Sequence, residues 1–594
     1  MRAPQLLELL KKGEEGLAIS TSAAPPVRGT AEAEPAKVGQ RGALSSRAAR
    51  LAARVTGANW AVLLGALPPA LTVAPLAAGA VRALSARGGV WLWGDQAVID
   101  LEARDSLLGR NLLGVYDRFG WHHLGPLWLL ALGLVRWAGG GSPGALVIGS
   151  FLLQAAAAAG IVLVASRLRE GRLTSWCAAL AVVAYEWDFG PERFGTVWAP
   201  YAIALPAALL LLLTADVATN DNPWPAAFGE LLCASFLVQT DVGTGVVVGG
   251  LVALAVVLRA VRSSRLPPMR SWRPRAALLA GVAIVAWLPP LVQQFTTEPG
   301  NMTQVARFFT THSSHRSWHE TLRALSTLFG TFPLQRGAHG ANLDAKLTWL
   351  GSVPVRSRPW YLVYLLGMVV GGAFASVRRR QQAAALAAAC LVSMLAAAWS
   401  VHVAYGDLYP YLVVWMGALA VPAWVAVALA FAPSIGAGAR GLGRRVLPAV
   451  ATAAAVAVTV GFAASPSPMT GTPSLLGRLS WKAVEAAVSS PQVRTVYVDI
   501  AANDAMPEAA AIADEVVRHG RRVEVNRQAL YFFDPSFSPR APAQVKIVVC
   551  CGRGDPGMPP PGALLRGRIG GQSIYLDRVN RWHELSDRHL RHSR

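Results

Sequence analysis

The sequence has 594 residues, of which 53% are hydrophobic and only 15% charged, with 55 Lys and Arg against 34 Asp and Glu. Soluble proteins carry about 25% charged residues, so this composition excludes a single water-soluble enzyme and a disordered chain. A bilayer is spanned by roughly 20 apolar residues, and the sequence contains many runs of this kind. It therefore predicts an α-helical polytopic membrane protein.

The net charge of +21 comes mainly from short basic stretches between apolar runs. Arginines cluster at 167–172, 259–275, 378–380 and 440–445. Short loops rich in Lys and Arg stay on the cytoplasmic side of a membrane. The surplus therefore indicates orientation in the bilayer and argues against a nucleic-acid partner.

In chain order, the sequence divides into three parts. Residues 1–55 are polar and lack apolar periodicity, which predicts a disordered cytoplasmic tail. Residues 56–464 form the transmembrane body. Residues 465–594 are predicted to be a small extracytoplasmic α/β domain, because short strand-like runs alternate there with a helical segment at 506–520.

The transmembrane body is predicted to contain about eleven spans. They lie near 59–81, 145–166, 173–187, 197–215, 225–240, 242–261, 276–294, 358–377, 382–403, 408–432 and 446–464. A shorter apolar run at 124–138 is predicted to be a re-entrant or interfacial helix, since the basic loops all face the cytoplasm only if this run does not cross. The same layout puts the N-terminus inside and the C-terminal domain outside.

The first outer loop begins with the sequence GDQAVIDLEARDSLLG (94–109). Its apolar residues recur at near-helical spacing, which predicts an amphipathic helix lying on the membrane surface. Asp100, Glu102 and Asp105 are expected on the solvated face of this helix. Asp95 precedes the helix and follows tryptophan residues; it could cap the helix, but an acid beside aromatic groups at a membrane is typical of a functional residue.

This loop resembles that of the GT-C superfamily of membrane glycosyltransferases. The likeness rests on the "GD" followed by a helix and on RFGWHHLGP (118–126) leading into a short apolar helix. Two later segments fit the same pattern: WLPPLVQQFTTEPGNMTQVARFF (287–309) and AYGDLYPYLVVWM (404–416). The resemblance covers roughly 90–465 and is of an actinobacterial type. The resemblance does not extend to the C-terminal domain.

The resemblance implies an inverting transfer of a sugar from a polyprenyl-phosphate carrier to a cell-envelope glycan, lipid or protein at the outer face of the plasma membrane. It places the catalytic base on Asp95, since such a transfer needs a carboxylate to accept the acceptor proton. Arg118, His122 and His123 follow in the same loop and are candidates for contacts with phosphate or substrate. The alternative for the two histidines is an interfacial anchor beside Trp121.

Other candidate substrate-binding residues lie in later outer segments. Glu186 and Asp188 flank the end of a span, where an acid is costly; the alternative is an ion pair with Arg193. Asp241 is expected at the tip of an outer turn.

Two amides at the membrane boundary, Gln294 and Asn301, are candidates for hydrogen bonds to a sugar. Many superfamily members carry adjacent acids at the catalytic position, whereas here Asp95 is followed by Gln96. The sequence therefore leaves open whether a divalent metal, Mg²⁺ or Mn²⁺, takes part.

A second function compatible with the composition is a transporter or flippase for a lipid-linked glycan. Transporters commonly contain internal repeats, and the two halves of this chain show no convincing one. The acids also concentrate in the predicted outer loops. Both observations favour the enzyme.

Overall fold

The structure is a computed structural model. It describes residues 65–85, 90, 92–168, 171–262, 273–312, 315–330, 359–431, 434, 437–465, 485, 489–500, 505–533, 535–540, 543–550, 564–569 and 572–578. The predicted tail, 1–55, lies outside the described residues.

The described chain is mostly helical. Its helices are α1 Gly65–Leu84, α2 Asp95–Leu107, α3 Leu127–Ala138, α4 Pro143–Arg167, α5 Gly171–Phe189, α6 Ala199–Thr219, α7 Trp224–Thr240, α8 Val242–Arg262, α9 Arg273–Thr296, α10 Asn301–Thr311, α11 Trp318–Gly330, α12 Trp360–Val377, α13 Gln381–His402, α14 Tyr411–Phe431, α15 Ala437–Ala464 and α16 Met506–Arg518.

Within the described residues, nine helices are long and apolar enough to cross a membrane: α1, α4, α6, α8, α9, α12, α13, α14 and α15. The prediction of a multi-pass helical membrane protein is therefore confirmed, although the predicted number of spans was higher by two. Helices lie at the other two predicted positions as well, but α7 has only 17 residues and α5 ends in a segment with two acids. Helix α6 lies at the centre of the bundle. In its most apolar stretch 89% of the residues are buried, whereas in α9 the share is 11%.

The short apolar run forms α3, a helix of 12 residues. At about 1.5 Å per residue it is shorter than the roughly 30 Å hydrocarbon core, in keeping with the prediction that it does not cross. It packs closely on α2, because a Cβ atom at Gly133 would come within 2.5 Å of the Ala103 carbonyl oxygen.

The prediction that α2 lies on the surface with a solvated acidic face is wrong. Asp100, Glu102 and Asp105 are 0%, 1% and 3% exposed, and most other residues of α2 are buried as well. The reason is tertiary: α3 packs on one side of this helix and α16, from the C-terminal region, packs on another.

The C-terminal region contains a five-stranded sheet with the order β2-β1-β3-β5-β4. Its strands are β1 Thr495–Ile500, β2 Arg522–Val525, β3 Val545–Cys550, β4 Leu564–Ile569 and β5 Gln572–Arg578. β1 pairs in parallel with β2 and β3, whereas β5 runs antiparallel to β3 and β4. The helix α16 connects β1 to β2, as expected for a parallel pair. The predicted α/β fold of this region is confirmed.

Candidate active site

A cavity of about 260 Å³ lies where the segment that connects α1 to α3 meets the helical bundle. Its polar lining includes Asp95, Asp117, Arg118, His123 and Asp241. The rest of its wall is largely aromatic and aliphatic, with side chains from the starts of α6 and α14, from α10 and from the end of α13. We call it the Asp95 cavity. Four of the residues predicted from sequence thus come together in one place.

Asp95 is the first residue of α2 and lies at the wall of this cavity. It follows Gly94, whose φ of 54° is in the region that favours glycine. The Tyr116 hydroxyl donates a hydrogen bond to the Asp95 carboxylate at 2.5 Å. Burial raises the pKa of Asp95 above its ordinary value, and hydrogen bonds from Tyr116 and Trp198 partly oppose that rise. The carboxyl is therefore a stronger base than an exposed aspartate.

The loop after α2 folds into a short hairpin that presents further polar groups to the cavity. Tyr116 and His122 form a β-bridge, and the Asp117 amide donates to the Trp121 carbonyl oxygen at 2.7 Å. Gly114 is required where the hairpin meets the bundle, since a Cβ there would lie 2.9 Å from the Gln239 carbonyl oxygen. The hairpin therefore holds its tip residues in a fixed position over the bundle.

Asp117 is a cavity residue that the sequence analysis missed. Its carboxylate accepts a hydrogen bond from the Phe119 amide at 2.9 Å, and burial raises its pKa. The positive charges of His123 and Arg118, where present, lower that pKa, while the Asp241 charge raises it. The sequence feature that could have identified Asp117 is its position directly before Arg118, within the segment that carries the resemblance.

Arg118 lies exposed at the mouth of the cavity. Its guanidinium donates to the Asp407 carbonyl oxygen at 2.9 Å and lies 4.8 Å from the centres of both the Phe119 and Tyr409 rings. These contacts fix a planar cation with donors left over for an anion.

His123 is held in one tautomer by the bundle. Its Nδ1 accepts a hydrogen bond from the Val242 amide at 3.2 Å, so Nε2 carries the proton in the neutral ring. Burial lowers the pKa of His123 to about 4. At neutral pH it is therefore an uncharged donor in the cavity wall.

Asp241 lies at the junction of α7 and α8. Its carboxylate accepts from the Gly243 amide at 2.8 Å, which caps the first turn of α8. Burial raises its pKa to about 6. Capping accounts for its position, and its place in the cavity wall leaves it available to a ligand as well.

The remaining predicted residues of the outer segments make contacts within the protein. The side-chain amide of Asn301 accepts from the His122 amide at 2.9 Å and donates to the His122 carbonyl oxygen at 2.8 Å. Gln294 donates to the Thr303 hydroxyl at 2.7 Å. None of His122, Asn301 and Gln294 is among the residues that line the Asp95 cavity. Asn301 instead ties α10 to the hairpin.

Glu186 and Asp188 are not brought to the cavity either. They lie at the end of α5 and are 0% and 4% exposed. Arg193, the alternative partner considered for them, donates to the Phe189 carbonyl oxygen at 2.6 Å.

Metal-ligating side chains do not cluster in the described residues. Across the described ranges, no three His, Cys, Asp or Glu side chains come together as ligands. Asp95, Asp117 and Asp241 surround one cavity without forming such a cluster.

The similarity of this chain to known proteins lies in its fold. No protein-family profile matches the chain, and no curated protein matches it. Among solved structures, ArnT from Cupriavidus metallidurans, bound to undecaprenyl phosphate, is 15% identical, with a TM-score of 0.50 over 88% of this chain and 98% of that one.

Two further structures are from Archaeoglobus fulgidus. The apo oligosaccharyltransferase is 11% identical, with a TM-score of 0.37 over 77% of this chain and 64% of that one. The oligosaccharyltransferase AglB, in complex with an inhibitory peptide and a dolichol-phosphate, is 13% identical, with a TM-score of 0.39 over 76% of this chain and 64% of that one.

The match to ArnT extends over most of this chain and nearly all of the other. The protein therefore shares the fold of ArnT, in agreement with the fold expected from the resemblance in its sequence.

Proposed function

We propose that the protein is an inverting membrane glycosyltransferase that moves a sugar from a polyprenyl-phosphate carrier to a cell-envelope glycan, lipid or protein. The observation that carries this proposal is the Asp95 cavity, whose lining includes a partly buried carboxylate, a fixed guanidinium and a neutral imidazole. The fold supports it, because ArnT, which shares the fold, binds undecaprenyl phosphate.

In the proposed reaction, the Asp95 carboxylate accepts the proton of an acceptor hydroxyl. The hydroxyl oxygen forms a bond to the anomeric carbon of the sugar while the bond from that carbon to the phosphate oxygen breaks. The electron pair leaves with the lipid phosphate, and a single displacement inverts the anomeric centre.

The leaving phosphate gains negative charge, so its stabilisation falls to the donors of the same cavity. Arg118 provides a guanidinium for the phosphate oxygens, and His123 provides an Nε2–H that needs no protonation at neutral pH. A preorganised donor aimed at developing charge is usually the largest single contribution to catalysis of this type. Whether a divalent metal takes part stays open, as it was from the sequence, and chelation tests it; no step of the proposed reaction is assigned to a metal.

The proposal is tested with purified protein in nanodiscs, a polyprenyl-phosphate sugar and candidate acceptors. We expect the sugar to appear in covalent linkage to the acceptor, with release of polyprenyl phosphate. Movement of the intact lipid-linked sugar across the bilayer, with no new glycosidic bond, would instead identify a transporter.

Tyr116→Phe tests the state of the proposed base through the dependence of rate on pH. Asp95 must be unprotonated to act, so the rate should rise as pH rises through its pKa. The Tyr116 hydrogen bond lowers that pKa; its loss should raise the pKa and move the rising part of the profile to higher pH. A profile that stays in place, or moves to lower pH, contradicts the assignment.

We also propose that the C-terminal domain and the Asp95 cavity both lie on the outer side of the membrane. Gln492 is exposed in the C-terminal domain, and Asp221 is exposed between α6 and α7, a loop predicted to be cytoplasmic. With the native cysteines replaced by alanine, Gln492→Cys should react with a membrane-impermeant maleimide on intact cells, whereas Asp221→Cys should react only after permeabilisation. The opposite result would invert the layout.

A further inference from the structure

We propose that the C-terminal α/β domain holds the catalytic helix α2 in place, with Arg518 as the positioning residue. This inference rests on the proposed function, in which Asp95 at the start of α2 is the base. It gives a role to a region to which the sequence resemblance does not extend. Three independent contacts carry it, and all of them lie within one or two turns of Asp95 or on its hydrogen-bond partner.

The first contact is made by the main chain directly before Asp95. The Gly94 amide donates to the Pro507 carbonyl oxygen at 3.2 Å. A Cβ at Gly94 would lie 3.5 Å from Pro507 Cβ, so the two segments approach closely. The first turn of α16 therefore fixes the residue from which α2 begins.

The second contact acts on the hydrogen-bond partner of Asp95. The ring of Phe532 meets the Tyr116 ring edge to face, with 5.3 Å between the ring centres and an angle of 88°. The hydroxyl of the same Tyr116 donates to the Asp95 carboxylate. The C-terminal domain thus supports both the backbone and the hydrogen bond of the proposed base.

The third contact is a buried charge cluster between α2 and α16. Arg136 of α3 donates to Asp100 at 2.6 Å, and Arg518 lies 3.7 Å from the other oxygen of the same carboxylate. Arg518 also donates to Asp514 and lies 3.6 Å from Glu515. Asp100 and Asp514 are 0% and 1% exposed.

The buried acids of this cluster depend on the nearby arginines for their stabilisation. Burial raises the pKa of Asp514 well above its ordinary value, and the nearby charge of Asp100 adds to the rise, while Arg518 and Arg136 oppose it. Removing one partner of a buried pair leaves an uncompensated charge, and this costs far more than the pair contributes. Loss of Arg518 should therefore loosen the contact between α2 and α16.

Loosening at this point should affect the chemical step more than substrate binding. A displacement of about 1 Å at a reacting group can cost roughly 10²-fold in rate. Asp95 is not expected to contribute much to donor affinity, because a lipid phosphate is an anion. We therefore expect kcat to fall while KM for the donor changes little.

The experiment compares Arg518→Ala, Arg518→Lys and Arg522→Ala in the full-length protein. Arg522 is a matched control, because it pairs at 3.3 Å with Glu524 within the C-terminal sheet. In Arg518→Ala we expect kcat to fall about 10-fold or more, with KM within about twofold of wild type. Arg518→Lys should recover part of kcat, since it keeps the charge. Arg522→Ala removes the partner of a buried acid within the C-terminal sheet, so it should lower stability but keep the wild-type kcat in the folded protein.

Hydrogen exchange of the backbone amides gives a readout that does not depend on activity. Arg518→Ala should speed exchange over residues 94–107, while exchange in α6 stays unchanged. If Arg518→Ala does not fold, Phe532→Leu replaces it, since it removes the ring contact with Tyr116 and leaves the charge cluster intact. That variant should lower kcat and speed exchange over 114–123.

Unchanged exchange and unchanged kcat in a folded Arg518→Ala protein overturn the inference. Equal losses in Arg518→Ala and Arg522→Ala also overturn it, because they would show a general effect on the domain. Failure of the proposed function has a different signature: wild-type protein forms no glycosidic bond, while the exchange measurement still reports whether Arg518 fixes α2.

Discussion

Asp95→Asn should reduce sugar transfer by about 10²–10⁴-fold, the usual cost of removing a positioned general base. The amide has nearly the shape of the carboxylate and still accepts the hydrogen bond from Tyr116, so the protein should fold and bind the lipid donor. It cannot accept the acceptor proton. The measurement is the single-turnover rate with purified protein and a polyprenyl-phosphate sugar, together with the melting temperature in detergent.

Asp221→Asn is the matched control for this substitution. Its side chain is 98% exposed and makes a 3.4 Å ion pair with Arg262, just beyond the end of α6 that is opposite the Asp95 cavity. The same chemical change there should leave the rate unaltered. If folded Asp95→Asn transfers at the rate of this control, the base is another group, and Asp117 in the same cavity becomes the next candidate.

Arg118→Ala should lower the rate by about 10²-fold, because it removes a preorganised donor for the leaving phosphate. Within the described lining of the Asp95 cavity, Arg118 is the residue with a permanent positive charge. Lysine restores the charge without the planar fork, so Arg118→Lys should recover part of the loss. The rate should be measured with saturating acceptor over a range of donor concentrations.

Arg307→Ala provides the control for charge loss, since Arg307 is exposed on α10 and does not line the cavity. It should retain wild-type rates at equal ionic strength. Equal losses in the two alanine variants would mean that Arg118 acts through the general surface charge and not on the leaving group.

The local properties of this protein were determined by its sequence. Runs of about 20 apolar residues become helices that cross the membrane, because the backbone must satisfy its hydrogen bonds internally in lipid. This requirement depends on composition within each run, so positions such as 145–166 and 382–403 were predicted close to α4 and α13. Asp95 could be selected because its motif is continuous in the chain. Arg118 and His123 were selected for the same reason.

Only the tertiary structure decided which polar groups meet. Asp117 and Asp241 lie in different elements and converge with Asp95 because the hairpin packs on the junction of α7 and α8. Gln294 and Asn301, expected to bind sugar, make hydrogen bonds within the protein, and their role toward sugar stays a prediction. An amide has the same donors and acceptors in either role, so sequence alone does not distinguish them.

The acids of α2 illustrate the same physical limit. Asp100, Glu102 and Asp105 were expected in solvent, because polar residues between apolar ones indicate an amphipathic surface helix. The charge of Asp100 can be buried because Arg136 of α3 lies 2.6 Å from one carboxylate oxygen and Arg518, far along the chain, lies 3.7 Å from the other. Burial of a charge depends on partners that are remote in sequence, and only the folded chain brings them together.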